Sequence, residues 1–312
     1  NLVSTTNRLA QELGRLNPHW SDETIFQETR RIIVAQIQHI AYNEWLPIVI
    51  GTSTAEAYNL LPLREGFTHN YDRFLSAQIR NEFASIGFRF GHTLVEGMVR
   101  LFDKSHNNRE SINLFEHFNR PGIIYRRFDE LLRVLFKQPM QSFDNNIVDD
   151  LTNRLFQTDT MPFGMDLISL NTQRARDHAT GTYNDLREAC GVRRARTFSE
   201  LRDLIRPESI EVFRRIYASV DDIDPFVAAI SEASVNGAFW EPFLAQLYEI
   251  RKTSWASIIC ANGDDVERVQ PLAFRLPGPN NEKVPCSSAE IPKLDLTAWI
   301  SAPRETYGYP SS

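Results

Sequence analysis

Apolar residues recur every three to four positions along most of this 312-residue chain, a spacing typical of amphipathic helices. The pattern predicts helices at residues 24–45, 76–101, 123–136, 144–156 and 163–176. The best candidate strand is the three-residue run 48–50. Pro, Asn and Ser concentrate near the carboxyl end, which indicates loop, and residues 303–312 read as a frayed tail. The sequence therefore predicts a mainly α protein.

Two further patterns predict helix starts. Thr197 and Glu200 have the spacing of a capping box, in which each side chain accepts a hydrogen bond from the other residue's backbone N–H. Asp224 precedes Pro225, which fits a capping carboxylate followed by proline at the first helical position. We therefore expect short helices after both positions.

Composition excludes several classes of protein. The net charge of −6 argues against a nucleic-acid partner, and no apolar run is long enough for a membrane span. Hydrophobic residues make up 42% and charged residues 24%, which fits a globular chain. The three cysteines are too few and too scattered for a cysteine-rich zinc module. Because their number is odd, counting alone leaves the redox compartment open.

His92 is the first candidate functional residue. It follows Gly91 in an amphipathic segment, and Arg89 lies three residues earlier, on the same helix face. A glycine beside an inward-facing imidazole leaves room for a flat group. An imidazole, a cleared surface and a cation together suit a haem, with iron on His92 and a propionate on Arg89. The alternative is a structural histidine, which is the commoner case for a single helical His.

A second concentration of polar residues follows at 170–178. Arg174 and Arg176 could bind anions, and Asn171 could accept a hydrogen bond from a ligating imidazole and so fix its tautomer. The alternative is a surface ion-pair network around a helix end. Spacing alone favours that alternative.

Together these segments resemble the animal-type haem peroxidases. The resemblance extends in order over nearly the whole chain and includes Asn7-Arg8-Leu9-Ala10, Leu16-Asn17-Pro18-His19-Trp20, Gln38-His39-Ile40, Tyr42-Asn43-Glu44, Leu46-Pro47, Asn81-Glu82-Phe83, residues 88–94, residues 170–178, residues 183–191 and Ile258-Ile259-Cys260. It implies a mainly α fold around haem b, which in this family is often esterified to the protein. This combination outweighs the structural readings of His92 and Asn171 taken alone.

The resemblance also implies roles for individual residues. His92 aligns with the axial ligand of the haem iron, and Asn171 aligns with the asparagine that orients this histidine. Arg89 and Arg174 align with residues around the haem propionates. An imidazole oriented by a neighbouring acceptor is a better electron donor to iron.

The chain departs from the family at three places. Of the family motif Arg-Glu-His-Asn-Arg, only Asn7-Arg8 is kept, and residues 4–6 carry no charge. The family's distal histidine and calcium loop would precede residue 1, so we expect residues 1–302 to be the proximal part of one haem peroxidase domain. After Glu232 a helical segment of the family has no counterpart, and Ala179-Thr180-Gly181-Thr182 replaces a Gly-Leu-Pro-Gly-like turn.

The resemblance gives the cysteines an interpretation. Cys260 and Cys286 align with a family disulfide, whereas the usual partner of Cys190 would lie in the missing internal segment. A disulfide favours a secreted protein.

The expected function is oxidation of halide, phenolic or tyrosyl donors by hydrogen peroxide, with this chain supplying the proximal haem side. The missing distal part suggests a partner, either a separate N-terminal chain or a homodimer mate. The alternative is a catalytically inert pseudo-peroxidase that acts as an extracellular binding or adhesion protein, since Ser4 and Thr5 replace charged residues of the family motif.

Overall fold

Helices dominate the structure, a computed structural model that describes residues 2–63, 66, 74, 78–233, 253–263 and 265–300. The strands within these residues form two small antiparallel pairs, β1 (Met98–Phe102) with β2 (Asn108–Asn113) and β3 (Arg268–Val269) with β4 (Val284–Pro285). The prediction of a mainly α protein is confirmed. The predicted tail at 303–312, and the expected deletion between Glu232 and the Phe239-Trp240 pair, lie outside the described residues.

The α-helices follow one another in short units. In chain order they are α1 (Leu2–Leu16), α2 (Asp22–Ile40), α3 (Leu46–Ile50), α4 (Thr52–Ala57), α5 (Asn81–Ser85), α6 (Gly122–Arg126), α7 (Phe128–Lys137), α8 (Asp149–Thr152), α9 (Leu167–Asp177), α10 (Tyr183–Ala189), α11 (Pro207–Ile216), α12 (Pro225–Ala229) and α13 (Trp255–Asn262). A π-helical turn covers Ala41–Trp45, and 3-10 helices cover Gly87–Leu94, Leu114–His117, Phe198–Asp203, Val220–Asp222 and Leu296–Trp299.

Three predicted helices are found with small changes. The helix at 24–45 is α2 continued by the π-helical turn, and its start is fixed by Ser21, whose hydroxyl accepts from the Thr24 N–H. The helix at 123–136 is divided into α6 and α7. The helix at 163–176 is α9, which begins after Asp166 because that carboxylate accepts from the N–H groups of Ile168 and Ser169.

The predicted helix at 76–101 is wrong. In its place are α5, the 3-10 helix Gly87–Leu94 and β1. The chain becomes extended at Val95, and β1 then pairs with β2. Apolar spacing in this region reflects contacts of several short elements, not one continuous helix face. His92 therefore lies in a 3-10 helix and not in a long amphipathic helix.

Two other predictions fail for local reasons. Residues 48–50 form the end of α3, which follows the π-helical turn directly and tolerates Pro47 near its start. Of the helix expected at 144–156, only α8 is formed, and before it the Asp144 carboxylate accepts from the Asn146 N–H in a local turn. Such side-chain bonds to nearby backbone compete with helix.

The two capping predictions are also wrong in detail. The Thr197 side chain makes no capping hydrogen bond at the 3-10 helix Phe198–Asp203, and Glu200 accepts instead from the Arg196 N–H. Asp224 does precede α12, yet its carboxylate bonds Arg176 and Tyr217 and not the helix backbone. Arg176, 48 residues away in sequence, takes the Asp224 carboxylate away from the capping role, whereas the Glu200 carboxylate bonds the nearby backbone of Arg196.

The buried residues form separate clusters rather than one continuous core. The cluster that supports the candidate site contains Ile86, Ala175, Phe226 and Ile230, which join the segment before His92 to α9 and α12. Another cluster, around α7 and α13, adjoins the Cys260–Cys286 disulfide. The predicted disulfide is confirmed, and Cys190 is exposed with a free thiol.

Candidate functional site

The candidate site begins with His92, near the end of the 3-10 helix Gly87–Leu94. Ile86, just before this 3-10 helix, is buried against Ala175 and Phe226 and anchors the segment. The Phe226 ring also meets the His92 imidazole edge-on, with 6.2 Å between ring centroids. These apolar contacts restrict the imidazole on one side and leave it half-buried.

Asn171 on α9 contacts the imidazole directly. Its amide nitrogen lies 2.9 Å from Nδ1 of His92, and its side chain is almost fully buried. Arg89 reaches the same amide, where its Nη1 donates to Oδ1 of Asn171 over 2.8 Å. The structure therefore brings together His92, Asn171 and Arg89, three residues that the sequence singled out in two separate segments.

The electrostatics of the site favour an uncharged imidazole. Burial and the neighbouring Arg89 guanidinium lower the pKa of His92 below its ordinary value. Burial and the charge of Arg174 lower the pKa of Arg89. A neutral imidazole has the lone pair that a metal ligand requires.

Arg174 stands one turn after Asn171 on α9 and is exposed. It lies close enough to influence Arg89 electrostatically, but no hydrogen bond joins Arg174 to His92 or Asn171. Within the part of the chain that the structure describes, neither Arg89 nor Arg174 forms an ion pair with a carboxylate. Two adjacent cations without counter-ions are suited to bind an anionic group.

Gly91 leaves the space next to His92 open. A Cβ atom placed on Gly91 meets no atom within 4 Å, so no neighbouring element fills the position that a larger residue would occupy. This observation agrees with the sequence argument that Gly91 clears a surface beside the imidazole. The donor set and the free space both fit a haem with two carboxylates.

The carboxyl-terminal end of α9 is anchored by an ion pair. Arg176 donates through Nε and Nη2 to the buried carboxylate of Asp224, at 2.9 and 2.7 Å, and Tyr217 donates its hydroxyl to the same carboxylate at 2.9 Å. Arg176, which the sequence also offered as an anion-binding residue, is thus already paired. Its role is to hold α9 against α12.

Sequence reasoning gave no role to a set of polar contacts at the end of α9. His178, the residue that follows α9, is bonded through Nδ1 to Ser85 and Asn81, and Asn81 also donates to the His178 carbonyl. All three residues lie in or beside segments that resemble the animal haem peroxidases. Nearness to those segments is the sequence signal that could have pointed to these contacts.

Comparison with known proteins identifies the family of the chain. Residues 3–248 match the sequence model of a family described as animal haem peroxidase.

The chain belongs to the animal haem peroxidase family.

Two curated relatives illustrate this membership. The chain is 38% identical over 333 residues to a protein named peroxidase from Drosophila melanogaster. The alignment covers 96% of the chain and 48% of that relative. It is 34% identical to the chorion peroxidase of the same organism, covering 96% of the chain and 41% of that relative. The chain thus spans about half the length of the curated relatives it matches.

A solved structure supports the same fold. Peroxidase A from Dictyostelium discoideum superposes with a TM-score of 0.74 at 28% identity, covering 88% of this chain and 56% of that one. The 333 residues of the Drosophila peroxidase alignment exceed the 312 residues of the chain, so the alignment contains positions without a counterpart here.

None of the described helices is both long and apolar enough to cross a membrane.

Proposed function

We propose that this chain is the proximal haem-binding part of a peroxidase, with His92 as the axial ligand of the iron. The observation that carries the proposal is the contact of the half-buried His92 imidazole, whose pKa is lowered by burial and Arg89, with the buried Asn171 amide. Family membership supports a haem-dependent reaction with hydrogen peroxide. Residues 1–302 would belong to one haem peroxidase domain, with 303–312 as its tail.

The His92–Asn171 pair sets the tautomer of the imidazole. With the amide nitrogen of Asn171 facing Nδ1, the imidazole accepts at Nδ1 and carries its proton on Nε2. Ligation of iron through Nε2 requires that proton on Nδ1. An exchange of the amide oxygen and nitrogen of Asn171 meets this requirement, because Oδ1 then accepts from Nδ1–H.

The same exchange releases Arg89. Its Nη1 donates to Oδ1 of Asn171 in the structure, and this acceptor is lost once Oδ1 turns to the imidazole. Arg89 then needs another acceptor, which a propionate would supply. Arg174, exposed and without an ion pair among the described residues, would hold the second propionate.

Bound haem b supplies the redox-active iron at which hydrogen peroxide is reduced and a donor oxidised. In this proposal the chain binds the iron through His92, orients the imidazole through Asn171 and neutralises the propionates with Arg89 and Arg174. Halides, phenols and tyrosyl groups are the donors we propose for the complete protein. The Cys260–Cys286 disulfide supports secretion, because such bonds persist in oxidising compartments.

The proposal is tested by His92→Ala in the full-length protein that contains this chain. We expect the variant to lose the Soret band and the peroxide-dependent oxidation of a phenol, because the iron loses its protein ligand. His117→Ala is the matched control: His117 ends the 3-10 helix Leu114–His117 and has no part in the site. Retention of both haem and oxidation by His92→Ala would refute the axial role.

The alternative of an inert adhesion protein has no specific support among the described residues. It makes a distinct prediction, since a purified full-length protein of that kind would carry no haem and would bind its partner equally well with His92 replaced.

A further inference from the structure

One face of α9 carries three successive contacts to the segment that contains His92. Asn171, Ala175 and His178 follow one another at intervals of four and three residues, so they lie on the same side of the helix. Asn171 contacts the imidazole of His92, and Ala175 packs in a buried cluster with Ile86. His178 provides the third contact, at the end of the helix.

The third contact is a small hydrogen-bonded cluster that we call the terminal latch, formed by Asn81, Ser85 and His178. Asn81 Nδ2 donates to the main-chain carbonyl of His178 over 2.7 Å. The His178 Nδ1 lies 3.1 Å from both Oδ1 of Asn81 and Oγ of Ser85. Two of these bonds join residues 97 positions apart, and Ser85 is fully buried.

The backbone after α9 makes this latch possible. His178 donates its N–H to Arg174, and Ala179 then adopts a left-handed conformation with φ 50° and donates to Arg176. Carbonyl groups at a helix end lack partners within the helix, so the His178 carbonyl is available to the Asn81 amide. The turn ends the helix and directs a main-chain acceptor at α5.

We propose that Asn81 and His178 are positioning residues for His92, and this inference rests on the proposed function. His178 is seven positions after Asn171 along the helix, a rise of about 10 Å. A segment attached to α9 only at Asn171 and Ala175 can pivot about those contacts. The latch at the far end of α5 fixes the direction of the segment, and so the direction from which the imidazole meets the iron.

A purely structural latch would change stability alone, whereas a positioning latch also changes the iron–imidazole bond. The experiment compares His178→Ala, Asn81→Ala and His178→Asn in the full-length protein. The asparagine in His178→Asn keeps a polar atom near the position of the lost Nδ1. His117→Ala serves as the control for loss of a histidine outside the site.

The readouts are the iron–imidazole stretching frequency of the ferrous protein, measured by resonance Raman spectroscopy, and the rate of haem loss to apomyoglobin. We expect His178→Ala and Asn81→Ala to lower the frequency and to raise the rate of haem loss about tenfold, the size typical for residues that orient a metal ligand. His178→Asn should restore most of both values. Circular dichroism identifies any variant that fails to fold. If His178→Ala does not fold, Asn81→Ala carries the test, and if Asn81→Ala does not fold, His178→Ala carries it.

An unchanged frequency in folded His178→Ala and Asn81→Ala overturns the positioning role. It leaves the proposed function intact as long as His92→Ala loses its haem. If His92→Ala keeps the haem, the proposed function itself is wrong, so the two failures are distinguishable. A frequency shift equally large in His117→Ala would also overturn the proposal, because the effect would then not depend on the latch.

Discussion

The two segments that meet at the site are built in opposite ways. Helix α9 is regular, capped at its start by Asp166 and fastened at its end through Arg176 to the buried Asp224. The segment from Asn81 to Leu94 is a five-residue α-helix followed, after Ile86, by an eight-residue 3-10 helix. The candidate ligand thus lies on the irregular segment and takes its position from the regular one.

The largest effect should come from loosening α9. We expect Asp224→Ala to lower the free energy of unfolding by about 3 kcal/mol, because the change removes a buried acceptor from Arg176 and Tyr217 together. Urea unfolding measures the loss. Tyr217→Phe, which removes one of the three hydrogen bonds, should lose only about 1 kcal/mol. Equal losses in the two variants would show that the Arg176–Asp224 pair does not anchor α9.

The second prediction concerns Glu44, which is next to a residue that contacts the segment from Asn81 to Leu94. Burial raises the pKa of Glu44 to about 7, and the neighbouring Trp45 ring lies 6.2 Å from that of Phe90. Between the ordinary glutamate pKa and this raised pKa, the folded chain keeps a proton that the unfolded chain releases, so stability falls as pH rises. From about pH 5 to about pH 7 the decrease is about 2 kcal/mol.

Glu44→Gln tests this origin of the pH dependence. The amide cannot ionise, and its oxygen still accepts from the Trp255 N–H as Glu44 does at 2.9 Å. Urea unfolding at a series of pH values should therefore give a stability for the variant that declines less than that of the parent protein over this window. Parallel pH profiles for the two proteins would contradict the prediction.

A smaller effect is expected where the two segments meet. Asn171→Ala removes the contacts with His92 and Arg89, and we expect a loss of about 1.5 kcal/mol in the free energy of unfolding. Arg174→Ala is the control on the same helix, since its side chain is exposed, and should change stability by less than about 0.5 kcal/mol. A similar loss in both would mean that the amide contacts do not join the segments.

The smallest effect is a gain. Ala179 has a φ of 50°, a conformation that suits glycine better than alanine. Ala179→Gly should raise stability by about 0.5 kcal/mol, since relief of strain exceeds the added freedom of the unfolded chain. Thermal melting measures the change. Ala179→Val, with a branched Cβ, should lower the melting temperature, and the reverse order would contradict a left-handed turn at this position.

Regular elements with side chains that act locally could be predicted from the sequence. The start of α2 follows from Ser21, and α9 follows from its apolar and polar spacing. The helix expected at 76–101 could not be corrected in this way. Its apolar residues contact α9, α12 and β2, and no local pattern distinguishes such separate contacts from one helix face.

The candidate site divides in the same way. The sequence selected His92, Arg89, Asn171 and Arg174, and the structure joins the first three through direct contacts within hydrogen-bond distance. The terminal latch was not foreseen, although Asn81 and His178 both stood in segments that matched the family. Hydrogen bonds across 97 positions depend on how the chain returns on itself, which residue types alone do not specify.

The sequence by itself determined the helical class, because the spacing of apolar residues carries that information, and its resemblance to the animal haem peroxidases implied the disulfide pair and the residues of the candidate site. Only the tertiary structure decided that Asp224 binds Arg176 and does not cap α12, and that the backbone around His92 is a 3-10 helix. In both places, long-range contacts with partners distant along the chain replaced the local alternatives that the sequence favoured.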